Sequence, residues 1–153
     1  MPSEDVRPSQ PNIPTVPEQK ENWNRNVLLA DDTDLVRNMT IAILKRLGCT
    51  VEAVINGKQL IDRLGTAKPG EFGLIITDKE MPEMGGMEVM ESIKSNPSLK
   101  NLPVMLYSGD TKNEAEATKV TEALGYLYLA KPFTIPQLQE AINKSIAKFK
   151  STQ

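Results

Sequence analysis

A doubly wound α/β fold, with one parallel five-stranded sheet covered by five helices on its two faces, is the expectation for this chain. From Asn26 onward, short Leu-rich or β-branched runs alternate with amphipathic stretches, the pattern of strands buried on both sides and joined by crossover helices. The length of 153 residues suits one such core, and 39% hydrophobic with 25% charged residues is an ordinary globular balance. Right-handed crossovers then wind the chain outward in both directions from the first strand.

Asn26 to Ala30 reads as that first strand. Leu35, Met39, Ile43 and Leu47 recur every four residues and predict one buried face of a helix that stops at Gly48. Thr50 to Val54 is the second strand, and the helix after it carries Leu60, Ile61 and Leu64 and ends at Gly65. Gly73 to Thr77 is the third strand; Met87, Met90 and Ile93 mark the core side of the next helix. Pro103 to Tyr107 forms the fourth strand, and a weaker, polar helix covers about residues 112–124, with Glu114, Glu116 and Glu122 on a solvated face. Tyr126 to Leu129 is the fifth strand. The last helix has the clearest start: Thr134 and Gln137 suit a capping box and Pro136 an early helical position, while Leu138, Ile142, Ser145 and Phe149 share a face.

Composition changes before this pattern begins. Residues 1–25 contain Pro2, Pro8, Pro11, Pro14 and Pro17 but few sizeable apolar residues beyond Val6, Ile13, Val16 and Trp23. The expectation is a Pro-rich tail or linker over 1–25, too poor in apolar surface to offset its ordering entropy, followed by a folded domain over 26–150. The 18 Lys and Arg against 20 Asp and Glu give a net charge of -2, which argues against direct nucleic-acid binding driven by phosphate neutralisation. One cysteine, Cys49, forms no internal disulfide and suits a reducing compartment. No apolar run approaches the roughly 20 residues that span a bilayer, and the N-terminus carries no apolar leader, so a cytoplasmic protein with no membrane partner is expected. The chain has no histidine, which excludes His-based catalysis and His metal sites within it.

In doubly wound sheets the ligand site lies beyond the carboxyl ends of the strands. Here the first strand ends in Asp31-Asp32, the third in Asp78, the fourth in Ser108 and the fifth in Lys131. Carboxylates brought together there repel by about 4 kcal/mol per pair at 4 Å with an effective dielectric near 20. A hard divalent cation relieves that repulsion, and an open oxygen-only cluster suits Mg²⁺ better than a calcium cage or zinc. A hydroxyl and a lysine on the opposite rim add donors for phosphoryl oxygens, the groups that phosphoryl transfer needs. Asp78, central in the sheet, is the natural acceptor carboxylate.

The segment from Asn26 to about Lys150 resembles a receiver domain of the two-component response-regulator family. The resemblance is carried by Val27-Leu28-Leu29-Ala30-Asp31-Asp32, by Asp78-Lys79-Glu80-Met81-Pro82-Glu83-Met84-Gly85-Gly86, by Ser108-Gly109 and by Lys131-Pro132-Phe133, in that order and with suitable spacing. It implies a flavodoxin-like sheet of order 2-1-3-4-5. It also implies roles. Asp78 would take a phosphoryl group from a histidine on a separate histidine kinase or His-containing phosphotransfer protein. Asp31, Asp32, Asp78 and the backbone carbonyl of Glu80 would hold Mg²⁺. Lys131 would pair with Asp78 and then with the phosphoryl oxygens, Ser108 would bond one of those oxygens, and Tyr128 would be the switch aromatic. Gly109 would leave the acyl phosphate accessible, and the Lys131–Pro132 bond would be cis. Glu80 and Asp110 would tune the phosphoryl lifetime. The loop after Asp78 departs from the family, with Gly85 where an aspartate is common. The implied product is a switch whose surface changes for a downstream protein target; a monomer is expected, with dimerisation on phosphorylation as the lesser alternative. No output domain is visible, so a stand-alone receiver or a piece of a hybrid kinase is expected.

Two other readings compete. A pseudo-receiver would serve as a docking module without phosphorylation, though such a module has no need of the whole acidic set. Asp32-Thr33-Asp34 also superficially resembles the nucleophile motif of haloacid-dehalogenase-like phosphatases, a reading weakened because Glu140 is the one acid after Lys131.

Overall fold

The computed structural model of the chain describes residues 23–109 and 113–151, with the side chains of 149–151 left aside. Five strands alternate with five helices: β1 (Asn26–Ala30), α1 (Asp34–Arg46), β2 (Thr50–Val54), α2 (Gly57–Thr66), β3 (Leu74–Asp78), α3 (Gly86–Ser95), β4 (Val104–Ser108), α4 (Glu114–Ala123), β5 (Leu127–Ala130) and α5 (Ile135–Ser151). All neighbouring strands are parallel, and the order across the sheet is β2-β1-β3-β4-β5. The doubly wound expectation holds, with strand ends shifted by a residue at β3, β4 and β5.

The period-2 alternation of strand side chains divides the core into two layers. Val27, Leu29, Leu74, Ile76, Met105 and Tyr107 face α1 and α5, against Leu44, Leu47, Leu138 and Ile142. Leu28, Ala30, Ile75, Val104 and Leu106 face the other way, against Leu60 and Leu64 of α2 and Val89, Met90 and Ile93 of α3. β1, β3 and β4 are covered on both sides, which explains their unbroken apolar runs. Met87, expected in the core with Met90, is half-buried.

The face of α1 differs from expectation. Leu35 is 70% exposed and Met39 55% exposed, whereas Thr40, Leu44 and Leu47 are buried. A strict four-residue repeat overshoots a 3.6-residue turn by about 40° each time, so Leu35 lies roughly 120° around the helix from Leu47. Thr40 lies within about 20° of Leu47 and takes the inward place, its hydroxyl facing the Tyr107 hydroxyl at 3.4 Å.

The helix ends follow local chemistry. Asn56 caps α2 by accepting a bond from the Gln59 N–H at 2.8 Å. The expected capping box of α5 is formed: Thr134 N–H donates to Gln137 Oε1 at 2.8 Å, and Gln137 N–H to Thr134 Oγ1 at 3.2 Å. Of the shared α5 face, Leu138, Ile142 and Ser145 are buried; the Phe149 side chain lies outside the described part.

Residues 1–22 of the Pro-rich segment also lie outside the described residues. Its last three residues sit against the sheet. Trp23 packs on the α1/α5 layer under the Arg25 guanidinium, and Asn24 Nδ2 donates to the Gly70 carbonyl at 2.6 Å.

Candidate functional site

Parallel order brings the carboxyl ends of β1, β3, β4 and β5 to one edge, and each delivers a polar residue there. Asp31 follows β1, and its N–H continues the ladder to the Val54 carbonyl at 3.1 Å. Asp78 closes β3 opposite Tyr107, and Ser108 closes β4 opposite Ala130. Lys131 follows β5, its N–H bound to the Ser108 carbonyl at 2.8 Å. The Lys131–Pro132 bond is cis.

Carboxylate oxygens of Asp31, Asp32 and Asp78 lie within 4.8 Å of one another. Asp31 is fully buried, Asp78 is 5% exposed, and Asp32 stands on the exposed rim. Lys131 Nζ reaches Asp31 Oδ2 and Asp78 Oδ1, each at 3.5 Å. One ammonium therefore bridges two of the three clustered carboxylates. Burial pushes the Asp78 carboxyl up to about 6; Lys131 pulls it down, while Asp31 and Asp32 add to the rise.

Asp31 is held at several points. Its Oδ1 accepts the Thr33 N–H at 2.9 Å, its Oδ2 accepts the Tyr107 hydroxyl at 2.5 Å, and its carbonyl accepts Arg37 Nη1–H at 3.0 Å. The Tyr107 ring carries Lys131 Nζ 4.3 Å from its centroid and stacks on Phe133 at 5.9 Å. Burial, first, and the bond to Asp31 hold the Tyr107 phenol far above the ordinary tyrosine range, so it stays a donor.

The loop after Asp78 is fixed by close packing. A Cβ on Gly86 would come within 2.4 Å of both the Asp78 carbonyl oxygen and Leu106 Cδ1, so α3 begins directly on the end of β3. Gly86 N–H donates to the Lys79 carbonyl at 3.0 Å. Gly85 has an ordinary φ of -85°, but a Cβ there would meet the Lys79 carbonyl oxygen at 2.9 Å. The glycine that departs from the family pattern answers crowding, not a special backbone angle.

Of the residues singled out in the sequence, Asp31, Asp32, Asp78 and Lys131 converge, and Ser108 is buried beside them at the strand end. Tyr128 is half-buried in β5, on the α2/α3 side of the sheet. Glu80 is exposed, with its carboxylate 3.8 Å from Lys79 Nζ. Asp110 lies outside the described residues. Tyr107 and Thr40 were missed. A tyrosine closing an otherwise aliphatic strand was the available signal, because a buried phenol needs a hydrogen-bond partner.

The donor set fits a hard cation: three oxygen-donor carboxylates, partly offset by one lysine, with no softer ligand among them. No helix among the described residues is long and apolar enough to cross a membrane.

Residues 27–143 match the family described as response regulator receiver domain. Chemotaxis protein CheY-3 of Vibrio cholerae is 32% identical over 127 residues, which cover 80% of this chain and 92% of that protein. Chemotaxis protein CheV1 of Helicobacter pylori is 42% identical over 91 residues, 58% of this chain but 28% of that longer protein. Among solved structures, the chemotaxis response regulator CheY4 of Vibrio cholerae aligns with a TM-score of 0.68 at 26% identity, covering 78% of this chain and 97% of that one. The signal receiver domain of a signal transduction histidine kinase from Syntrophus aciditrophicus aligns with a TM-score of 0.70 at 25% identity, covering 84% of this chain and 94% of that one.

Proposed function

We propose that this chain, which belongs to the response regulator receiver family, is a phosphorelay switch that accepts a phosphoryl group on Asp78. The observation that carries the reading is the buried Asp78 carboxylate, crowded by Asp31 and Asp32 and bridged by Lys131. Because the chain has no histidine, the donor is a phosphohistidine on another protein, a histidine kinase or a phosphotransfer protein. An Asp78 carboxylate oxygen attacks phosphorus, the P–N bond breaks, and its electron pair leaves with the imidazole. The product is an acyl phosphate on Asp78.

The other residues position and neutralise. Asp31, Asp32 and Asp78, with the Glu80 carbonyl, would hold Mg²⁺, which supplies charge neutralisation for the phosphoryl oxygens when bound. Lys131 leaves its carboxylate pairing for a phosphoryl oxygen, and the Ser108 hydroxyl donates to another. Movement of Ser108 and Tyr128 then alters the surface of β5 and its neighbouring helices, which a downstream protein reads. Glu80 and Asp110 set the lifetime of the phosphoryl group. We read the protein as a cytoplasmic monomer that catalyses no turnover beyond its own phosphorylation and dephosphorylation.

The exposed apolar edge of α1 suits the donor. Val36, Met39 and Ile43, with Pro132 and Phe133, line a hollow of about 330 Å³ that also includes Thr40, Gly109 and Lys131. Lys131, which pairs with Asp31 and Asp78, is one of its lining residues. An apolar helix surface flanking the phosphohistidine would bury Leu35 and Met39 while presenting the phosphoryl group to Asp78.

The geometry favours Asp78 over the phosphatase reading, since Lys131 pairs with Asp31 and Asp78 while Asp32 is exposed and Asp34 bonds Arg37. Borohydride trapping tests the assignment. Reduction of the phosphorylated protein should convert Asp78 to homoserine, read by peptide mass. Homoserine at position 32 would revive the phosphatase, and an unmodified chain would favour the docking module.

A further inference from the structure

We propose that Tyr107 is a positioning residue for the cation site: its hydroxyl fixes the Asp31 carboxylate in the orientation that binds Mg²⁺. The inference rests on the reading of Asp31, Asp32 and Asp78 as the cation-holding set.

Tyr107 is fully buried in a strand whose other core residues, Val104, Met105 and Leu106, are apolar. Phenylalanine would fill nearly the same volume without a hydroxyl that is costly to bury unpaired. That hydroxyl has two partners among the described residues: Asp31 Oδ2 at 2.5 Å and, more weakly, Thr40 Oγ1 at 3.4 Å. Thr33 N–H fixes Oδ1, while Oδ2 takes the Tyr107 hydroxyl and faces Lys131 Nζ at 3.5 Å. Both oxygens are held, and Oδ1, with its one donor, keeps acceptor capacity for a cation. The orientation is therefore set before any ligand arrives.

A neutral donor suits this place. A second lysine would orient Asp31 equally well but would cancel the negative charge that attracts the cation. The hydroxyl orients and leaves the charge. The ring adds a second contact, lying 4.3 Å from Lys131 Nζ, so one side chain touches groups on both sides of Asp78. Hydrogen-bond partners of metal ligands typically contribute 10- to 100-fold in affinity.

The test is Mg²⁺ binding by calorimetry to the full chain and to Y107F, which keeps the ring and deletes the hydroxyl. The expected result is Mg²⁺ binding about tenfold weaker in Y107F. Its slower labelling by acetyl phosphate should recover as Mg²⁺ is raised, because the defect is in cation affinity. In a D31N background, adding Y107F should change Mg²⁺ affinity by less than about twofold, since the effect passes through Asp31. That comparison also holds if Y107F alone fails to fold, because with the Asp31 carboxylate replaced by an amide no buried anion is left without its donor. Equal affinity in Y107F and wild type would overturn the inference, leaving the hydroxyl a satisfied core group. Tighter binding in Y107F, or a tenfold loss that persists in D31N, would overturn it too. Failure of the wild type to bind Mg²⁺ would instead overturn the reading on which the inference rests.

Discussion

Two carboxylate clusters in this molecule are built to opposite ends. Beside α2, Arg63 binds Glu52 through Nε at 2.6 Å and Nη2 at 3.2 Å, and Nη2 also reaches Glu71 at 2.6 Å. Glu71 takes the Lys68 N–H as well, at 2.9 Å. That backbone bond, with Arg63, holds the Glu71 carboxyl below its ordinary value. At the sheet edge, Asp31 and Asp78 share Lys131 at 3.5 Å with Asp32 close by, and burial drives the Asp78 carboxyl upward. The first cluster satisfies its charges. The second leaves its charges crowded, and on the proposed function a bound cation would relieve that cost already present in the fold.

Removing the Asp78 charge should give the largest effect. In Mg²⁺-free buffer, with the folded carboxyl near 6 against an ordinary 3.8, Asp78 contributes nothing below about pH 4, where it is protonated in both states. Between about pH 4 and 6 the folded protein keeps a proton that the unfolded chain releases, so stability falls as pH rises. Above pH 6 the full penalty stands, about 3 kcal/mol for two pKa units. Asp78→Asn should therefore be more stable than wild type at pH 7 by up to that amount, with the gap closing towards pH 4 and narrowing when Mg²⁺ is added. Denaturant melts across this range check it.

A smaller effect tests how a partner finds the strained cluster. Leu35→Asp combined with Met39→Asp should lower phosphoryl transfer from a phosphohistidine protein by roughly tenfold, the cost of losing an interface anchor. Labelling by acetyl phosphate, which needs no docking, should be unchanged. Equal loss with both donors would mean local damage to α1 rather than a docking face.

The smallest effect belongs to the satisfied cluster. Arg63→Ala should lower the melting temperature slightly, and less at high salt, because these groups are largely solvated and screened. Phosphorylation of Asp78 should not change.

Sequence reading located the strained cluster well because its members sit where short apolar runs stop. Asp31, Asp78, Ser108 and Lys131 each adjoin a strand end, and strand ends are legible from Val, Ile and Leu content alone. What joins distant positions was less legible. The Tyr107–Asp31 bond spans 76 residues and depends on β4 lying one strand from β1, with β3 between them. The pair Asp31-Asp32 did not reveal which member is buried, because adjacent residues leaving a strand point in opposite directions. The α1 face was misread for a geometric reason, the drift of a four-residue repeat, and the correction exposed the apolar edge that the docking argument uses. Thr40 went unnoticed because a polar residue on a buried face has no periodic signature.

The central claim is that Asp78 is the acceptor and that the crowded carboxylates make acceptance cation-dependent. Intact-mass measurement after incubation with acetyl phosphate, with and without Mg²⁺, tests it most directly on the wild type beside Asp78→Asn. The account predicts a single acid-labile phosphoryl group on the wild type with Mg²⁺ present, and none without Mg²⁺ or in the variant. Labelling that persists in Asp78→Asn, or a wild type that stays unlabelled while a known receiver labels beside it, would contradict the account.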